Sequence, residues 1–316
     1  MVEALRSGRM HHAWLITGPE GIGKATLAFR FARRLLAGAP HDGTLHLHPE
    51  HPTFRRVLAG SHADLLTVER AWDEKKKRLR GEIVVDDARG VAEFLRLTPA
   101  EGGWRVVVVD GAEDLNRNAE NALLKVLEEP PARAVLLLVC AAAGCLLPTI
   151  RSRCRLLRMD PLDAPAMADV LARAMPERPA AERERLALLA EGSPGRAIDL
   201  AAGGGLDVAT LVQDVLGKLP NLPPILAHTV ADAIGRDEDA FSTFFDMLLA
   251  SLAAAVRDTA RGRAGDAQAR MLGTRGLDAW IDVWHGLGTL RQRTEGLHLD
   301  KRQALISGFG MLGAKA

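Results

Sequence analysis

"GPEGIGKAT", running from Gly18 to Thr26, decides how the chain is read. Gly18, Gly21 and Gly23 are followed at once by Lys24. An apolar run, "AWLIT" (Ala13 to Thr17), precedes the stretch. After it comes "KATLAFRFARRLLAG", where Leu27, Phe29, Phe31, Ala32, Leu35 and Leu36 recur at helical spacing until Gly38 stops the pattern. In a strand, glycine loop and helix of this kind, backbone N–H groups and the positive helix end hold phosphate oxygens, and the lysine reaches the terminal phosphates. One slot departs from the pattern. The residue after the lysine, whose hydroxyl would grip Mg²⁺, is Ala25. Thr26 does not replace it, because one step along a helix turns a side chain by about 100°. The plainer reading is a glycine turn that packs a strand on a helix.

The strongest buried strand lies further on, in "WRVVVVDGAEDL" (Trp104 to Leu115). Its run Arg105 to Val109 ends at Asp110, at the carboxyl end of a strand, where open α/β sheets bind ligands. Such an Asp can hold Mg²⁺ through water or simply close a turn. The next residue, where an acid would orient an attacking water, is Gly111, and Glu113 follows two residues later. "DLLTVER" (Asp64 to Arg70), "AVLLLVC" (Ala134 to Cys140) and the end of "LPTIRSRCRLLRM" read as further strands. "VDDARGVAEFLRLTP" and "NRNAENALLKVLEEPP" read as helices, the second capped by Asn116 and ended by Pro130. Uninterrupted apolar strands alternating with helices predict a doubly wound parallel sheet. The Pro-, Gly- and His-rich stretch 39–62 reads as loop, and "AWDEKKKRLRGE" as a solvated surface connection.

Beyond Met159 the strand pattern stops. The expected division is an α/β P-loop-like domain over 1–160, a small helical lid over 161–205 and an all-α collar domain over 206–316, with "ARGRAGDAQARM" (Ala260 to Met271) as a loop. The 316 residues carry a net charge of +1, which argues against coating nucleic acid by bulk electrostatics. Tyr is absent and aromatics make up 4%, so stacking platforms are not expected as the main device. The three cysteines, Cys140, Cys145 and Cys154, read as packing residues in a reducing compartment. With no signal-peptide pattern and no uninterrupted apolar run of about 20 residues, a cytoplasmic location is expected.

Two arginines stand in suggestive places. Arg153, in "TIRSRCR", can stabilise the charge of a phosphoryl group on a neighbouring molecule or pair with a surface carboxylate. Arg196, in "EGSPGRA", can sense phosphate at a helix start or simply be solvated. His41, His46, His48, His51 and His62 crowd one segment, but their spacing is irregular and no Cys is near, so no zinc is expected.

Together "SGRMHHAWLITGPEGIGKATLA", "ENALLKVLEEPP" and "PTIRSRC" resemble the clamp-loader branch of the AAA+ family over about the first 200 residues. Active members of that branch keep a Mg²⁺-binding hydroxyl, an acid beside the strand-end Asp and a polar residue at the end of the next strand. Here those positions are Ala25, Gly111 and Cys140 or Ala141, while Ser152, Arg153 and Cys154 match. The resemblance implies a non-hydrolysing stator in a five-subunit complex. Arg153 would complete the ATP site of an adjacent gamma/tau subunit. Gly18, Gly21, Gly23, Lys24, Thr26, Asp110 and Arg196 would form a degenerate phosphate site. The implied partners are the gamma/tau and delta subunits, the sliding clamp and primed DNA, with no cofactor required and ATP or phosphate binding left open. The short segment before "HHAWLITGP" offers little of the adenine-contacting sequence usual in the branch, and the four-cysteine zinc module of many members is absent. Two other readings stay open. One is an active ATPase using Thr26 and Glu113, and the other is a DNA binder using the C-terminal helices.

Overall fold

The computed structural model describes residues 1–38, 43–75, 77–273 and 275–313. Its strands in chain order are β1 (Ala13–Thr17), β2 (Leu65–Val68), β3 (Trp72–Asp73), β4 (Arg78–Leu79), β5 (Arg105–Asp110), β6 (Ala134–Cys140) and β7 (Arg155–Arg158). Five of them form one sheet in the order β2-β5-β6-β1-β7. Every pairing in it is parallel: Ala13 lies opposite Leu136, Trp14 opposite Arg155, Leu65 opposite Val106 and Arg105 opposite Ala134. β3 and β4 form a separate antiparallel hairpin.

The helices of this part are α1 (Val2–Arg6), α2 (Lys24–Leu36), α3 (Pro52–Leu58), α4 (Val85–Arg96), α5 (Arg117–Glu128), α6 (Pro148–Arg151) and α7 (Ala164–Ala174). Alternation along each strand sends successive side chains to opposite faces. Val107, Val109, Leu136 and Leu138 meet Val91 and Leu95 of α4 and Leu123 of α5 on one face. Val106, Val108, Leu137 and Val139 meet Ala28, Phe31 and Leu35 of α2 on the other. Burial on both faces explains why β5 and β6 read as unbroken apolar runs. The expected α/β architecture is therefore present, followed by helices alone: α8 (Ala180–Leu189), α9 (Pro194–Ala202), α10 (Gly205–Gly217), α11 (Pro224–Ile234), α12 (Glu238–Ala260), α13 (Asp266–Leu272), α14 (Leu277–Gly296) and α15 (Lys301–Gly313).

Two compact units result. One comprises Met1–Arg173 with Ala190–Arg196, and the other Ala174–Leu189 with Ala197–Ala316. In the helical unit, α12 places Phe241, Phe244, Phe245, Leu248 and Leu252 in the core, and Phe309 of α15 meets Phe244 edge to face at 5.9 Å. α12 has 23 residues and passes a test of length and hydropathy for a bilayer span although the sequence has no unbroken apolar run of that length. Its apolar face, Phe241, Phe244, Phe245, Met247, Leu248, Leu252 and Ala255, is buried in the core of this unit.

Three segments differ from their sequence reading. Pro52 sits in the first turn of α3 and the His51 ring accepts a hydrogen bond from the Thr53 N–H at 3.2 Å, so a helix starts inside the expected loop. The expected surface connection contains the β3–β4 hairpin. Within the expected loop 260–271, α13 forms because Gln268 accepts from the Gly265 N–H and Met271 is buried. The crowded histidines also have local roles: His48 and His62 accept the N–H two residues on, as His51 does. His41 lies outside the described residues.

Candidate functional site

β1 ends at Thr17 and the loop Gly18–Gly23 turns the chain into α2. Gly18, Gly21 and Gly23 have φ of 148°, 73° and 93°, backbone states that L side chains avoid. The amides of Gly21, Ile22 and Gly23 donate no hydrogen bond within the described residues, so the loop presents free donors at the start of α2. The Lys24 ammonium folds back and donates to the Gly18 and Pro19 carbonyls, both at 2.8 Å.

The loop is held from behind. Ser193 Oγ donates to the Glu20 carbonyl at 2.9 Å, and the Gly195 N–H donates to the Gly21 carbonyl at 2.8 Å. A cleft of about 720 Å³ opens in front of it, lined by Gly21, Gly23, Lys24, Ala25, Thr26 and Asp110 among others. Gly21, Gly23, Lys24, Thr26 and Asp110 thus line one cleft, and Gly18 adjoins it through the Lys24 contact. Arg196 stands apart. It is not among the residues lining the cleft, and its backbone N–H reaches Ser193 Oγ at 3.3 Å. Ser193 and Gly195 were not singled out by the sequence reading. The signal was there in "GSPG", a Ser-Pro helix start flanked by glycines.

The walls are acidic. Glu20, Glu69, Asp110, Glu113 and Asp114 face two cations, Lys24 and Arg70, and Arg70 already pairs with Asp114 at 3.2 Å. Burial raises the Asp110 carboxyl above its usual range; Glu69 and Glu113 raise it further, and Lys24 and the Gly111 N–H oppose them.

The residues expected to be chemically blank are now explained locally. Gly111 has φ 79° and ψ 52°, and a Cβ there would lie 2.8 Å from Asp114 Oδ2. The backbone itself therefore disfavours an acid after Asp110. Glu113, the substitute considered in its place, accepts from the Ala141 N–H at 2.9 Å. At the end of β6, Cys140 is buried and its thiol is pushed up to about 12, chiefly by burial. The slot after Lys24 holds the methyl group of Ala25 and brings no hydroxyl to the cleft.

Arg153 lies away from this cleft, just after α6. It donates to the Thr149 carbonyl at 2.9 Å and pairs with Glu128 at 2.9 Å, with side chains 35% and 49% exposed. Of the other cysteines, Cys154 is half-buried and its thiol is also raised to about 12 by burial, whereas Cys145 is exposed, contrary to a packing role. Among the described residues no group of three or more His, Cys, Asp or Glu is arranged to hold a metal ion.

The family described as DNA polymerase III, delta subunit, matches residues 1–163. A DNA polymerase III subunit delta' of Pseudomonas aeruginosa is 38% identical over 208 residues, 66% of this chain and 61% of that protein. Its counterpart of Escherichia coli is 35% identical over 223 residues, 70% of this chain and 64% of that protein. DNA polymerase III subunit tau of Salmonella typhimurium is 30% identical over 248 residues, 75% of this chain but 37% of that protein. The matches span less than two thirds of each of these relatives.

Proposed function

We propose a role that starts from one premise: the chain belongs to the DNA polymerase III delta-subunit family. It acts as a delta'-like stator of the clamp loader, an AAA+ subunit that does not hydrolyse ATP itself. It works with gamma/tau and delta subunits to place the sliding clamp on primed DNA, in the cytoplasm. The helices after residue 206 serve as the collar that joins the subunits, and those of 161–205 as the lid.

The observation that carries this reading is the state of the cleft. Ala25 lacks a metal-binding hydroxyl, Gly111 sits in a left-handed turn that disfavours an acid, and Glu113 is tied to the Ala141 amide. Metal-assisted phosphoryl transfer needs a ligand for the ion and a group to orient the nucleophile. These residues do not fit that requirement. The free amides and Lys24 still suit an anion, so phosphate binding without turnover is part of the proposal.

Arg153 takes the complementary role. Its pair with Glu128 is exposed, and such pairs contribute about 0–1 kcal/mol. The charge of a transferring phosphoryl group on an adjacent subunit can therefore compete with Glu128 for the guanidinium at little cost. Arginines that act in trans in this way are worth about 10³- to 10⁵-fold in rate in related systems.

The match to tau favours a second reading, an active ATPase. Two measurements separate them. The purified chain should show no ATP turnover above background, and a rate comparable with tau would overturn the proposal. In the reconstituted complex, Arg153→Ala should leave assembly intact and reduce ATP hydrolysis at least tenfold. Unchanged hydrolysis would remove the trans role.

A further inference from the structure

The hairpin β3–β4 has a composition unlike the rest of the chain. Between Asp73 and Arg80 stand five cations and two acids, although the whole chain carries only +1. Lys76 lies outside the described residues. Lys75, Lys77, Arg78 and Arg80 are exposed, and none forms an ion pair among the described residues. Some cations elsewhere in the same unit are paired, Arg56 with Glu101, Arg89 with Asp86 and Arg153 with Glu128. The exposed Arg6, Arg9, Arg96 and Arg151 form no ion pair among the described residues, but they are not clustered on one element as the hairpin cations are.

The hairpin is also built to hold a shape. Trp72 lies opposite Leu79 and Asp73 opposite Arg78. The Arg80 N–H donates to the Ala71 carbonyl at 2.8 Å and extends the ladder by one step. Asp73 accepts the Lys75 N–H at 3.0 Å, and Lys77 closes the turn with φ 49°. Directly opposed residues share a face, so Trp72 and Leu79 form an apolar pair on one side, 53% and 48% exposed. Trp72 makes no ring or cation–π contact among the described residues. Arg78 and Arg80 alternate onto the other side, about 7 Å apart at ~3.4 Å per residue. Phosphates along one strand of a duplex recur every ~3.4 Å of the helix axis, about half the Arg78–Arg80 separation.

We propose that this hairpin is a nucleic-acid contact, in which Lys75, Lys77, Arg78 and Arg80 engage backbone phosphates and Trp72 stacks on a base. Charge complementarity selects the partner. A run of exposed cations in excess over its two acids, with a half-exposed indole on the same hairpin, is the combination that binds single-stranded nucleic acid without sequence preference. The contact does not depend on the stator reading: of the hairpin only Leu79 lines the cleft, while Trp72, Lys75, Lys77, Arg78 and Arg80 do not, and Arg153 takes no part.

The test is a fluorescence-anisotropy titration of the full chain with a labelled single strand and a labelled primer–template duplex, across a salt series. Replacing the four cations together with Gln should flatten the plot of log affinity against log salt, by about 0.7 to 0.9 for each cation engaged. Trp72→Ala should weaken single-strand binding by about 5- to 150-fold while leaving that slope unchanged. All replaced residues are exposed, and circular dichroism checks that the fold survives. Absence of binding by the unaltered chain at low salt would overturn the proposal, as would an unchanged slope in the four-cation variant. If DNA binding is unaffected while capture of delta or tau subunits is lost, the hairpin is a protein interface and the proposal is wrong.

Discussion

Gly111 provides the sharpest test of the proposal that the cleft does not turn over ATP. Its φ of 79° and ψ of 52° fall in the left-handed region. Any residue with a Cβ is strained there by about 1–2 kcal/mol. An added Cβ would also stand 2.8 Å from Asp114 Oδ2. That oxygen is the far end of a side chain and can rotate away, but doing so breaks its pair with Arg70, an exposed contact worth about 0–1 kcal/mol. Against these terms, an alanine lowers the entropy of the unfolded chain and returns about 0.4–1 kcal/mol. Gly111→Ala should therefore destabilise by about 1–2 kcal/mol. Gly111→Asn should cost less, because Asn tolerates the left-handed state. Gly111→Glu should cost at least as much as Ala, and combined with Ala25→Ser it should not create an ATPase, since Ala141 still supplies no polar group. Urea denaturation followed by circular dichroism reads the series: the midpoint should fall in the order Gly, Asn, Ala with little change in slope. Equal midpoints for Ala and Gly would show that the backbone does not dictate the missing acid, and the account of the cleft would fail.

Two further outcomes test the same region. Asp110 is raised above its ordinary range by burial and by Glu69 and Glu113, so its contribution to stability is present at acid pH and is lost as pH rises through the raised value; Asp110→Asn should raise the melting temperature at neutral pH, and the gain should vanish as pH falls below about 4. At Gly195 a Cβ would meet Gly21 backbone atoms at 2.8 and 2.9 Å, which cannot rotate aside, so Gly195→Ala should destabilise by about 1–3 kcal/mol, while Gly144→Ala, with open space around it, should stay within about 0.5 kcal/mol in the same thermal-unfolding assay.

The sheet was legible because burial on both faces leaves a direct trace. Val106 to Val109 and Val135 to Val139 must all be apolar when helices cover each side. The Asn116 cap was legible too, and its side chain accepts the Ala119 N–H at 3.0 Å. What escaped were short elements held by single contacts. A seven-residue helix begun by His51 and Pro52 and a hairpin two residues wide leave no periodicity to read. The cleft's missing chemistry was visible as residue types, but its cause was not. That Gly111 is left-handed, and that Glu113 is already committed to Ala141, depend on where β5 and β6 end relative to one another. Pairing of Arg153 with Glu128 joins two sequence motifs that composition alone does not connect.

The glycines of the phosphate-loop sequence have a mechanical explanation in the way the loop packs. At Gly18 a Cβ would fall 2.3 Å from the Met159 carbonyl, where β7 ends beside β1. At Gly21 it would fall 2.4 Å from Ser193 Oγ and 2.9 Å from the Arg196 nitrogen. Two of the three glycines are thus demanded by close approach of neighbouring backbone, whether or not a phosphate ever binds. Gly23 is different: its nearest neighbour is 3.9 Å away, and only its φ of 93° calls for glycine. The fold itself requires neither a hydroxyl at position 25 nor an acid at position 111. It does require Gly18 and Gly21, whose replacement would push the loop off the segments it packs against. Lys24 is bonded to the Gly18 and Pro19 carbonyls, which gives its ammonium a structural occupation too. The glycines and the lysine are therefore held by packing and hydrogen bonds within this unit, independently of any reaction at the cleft.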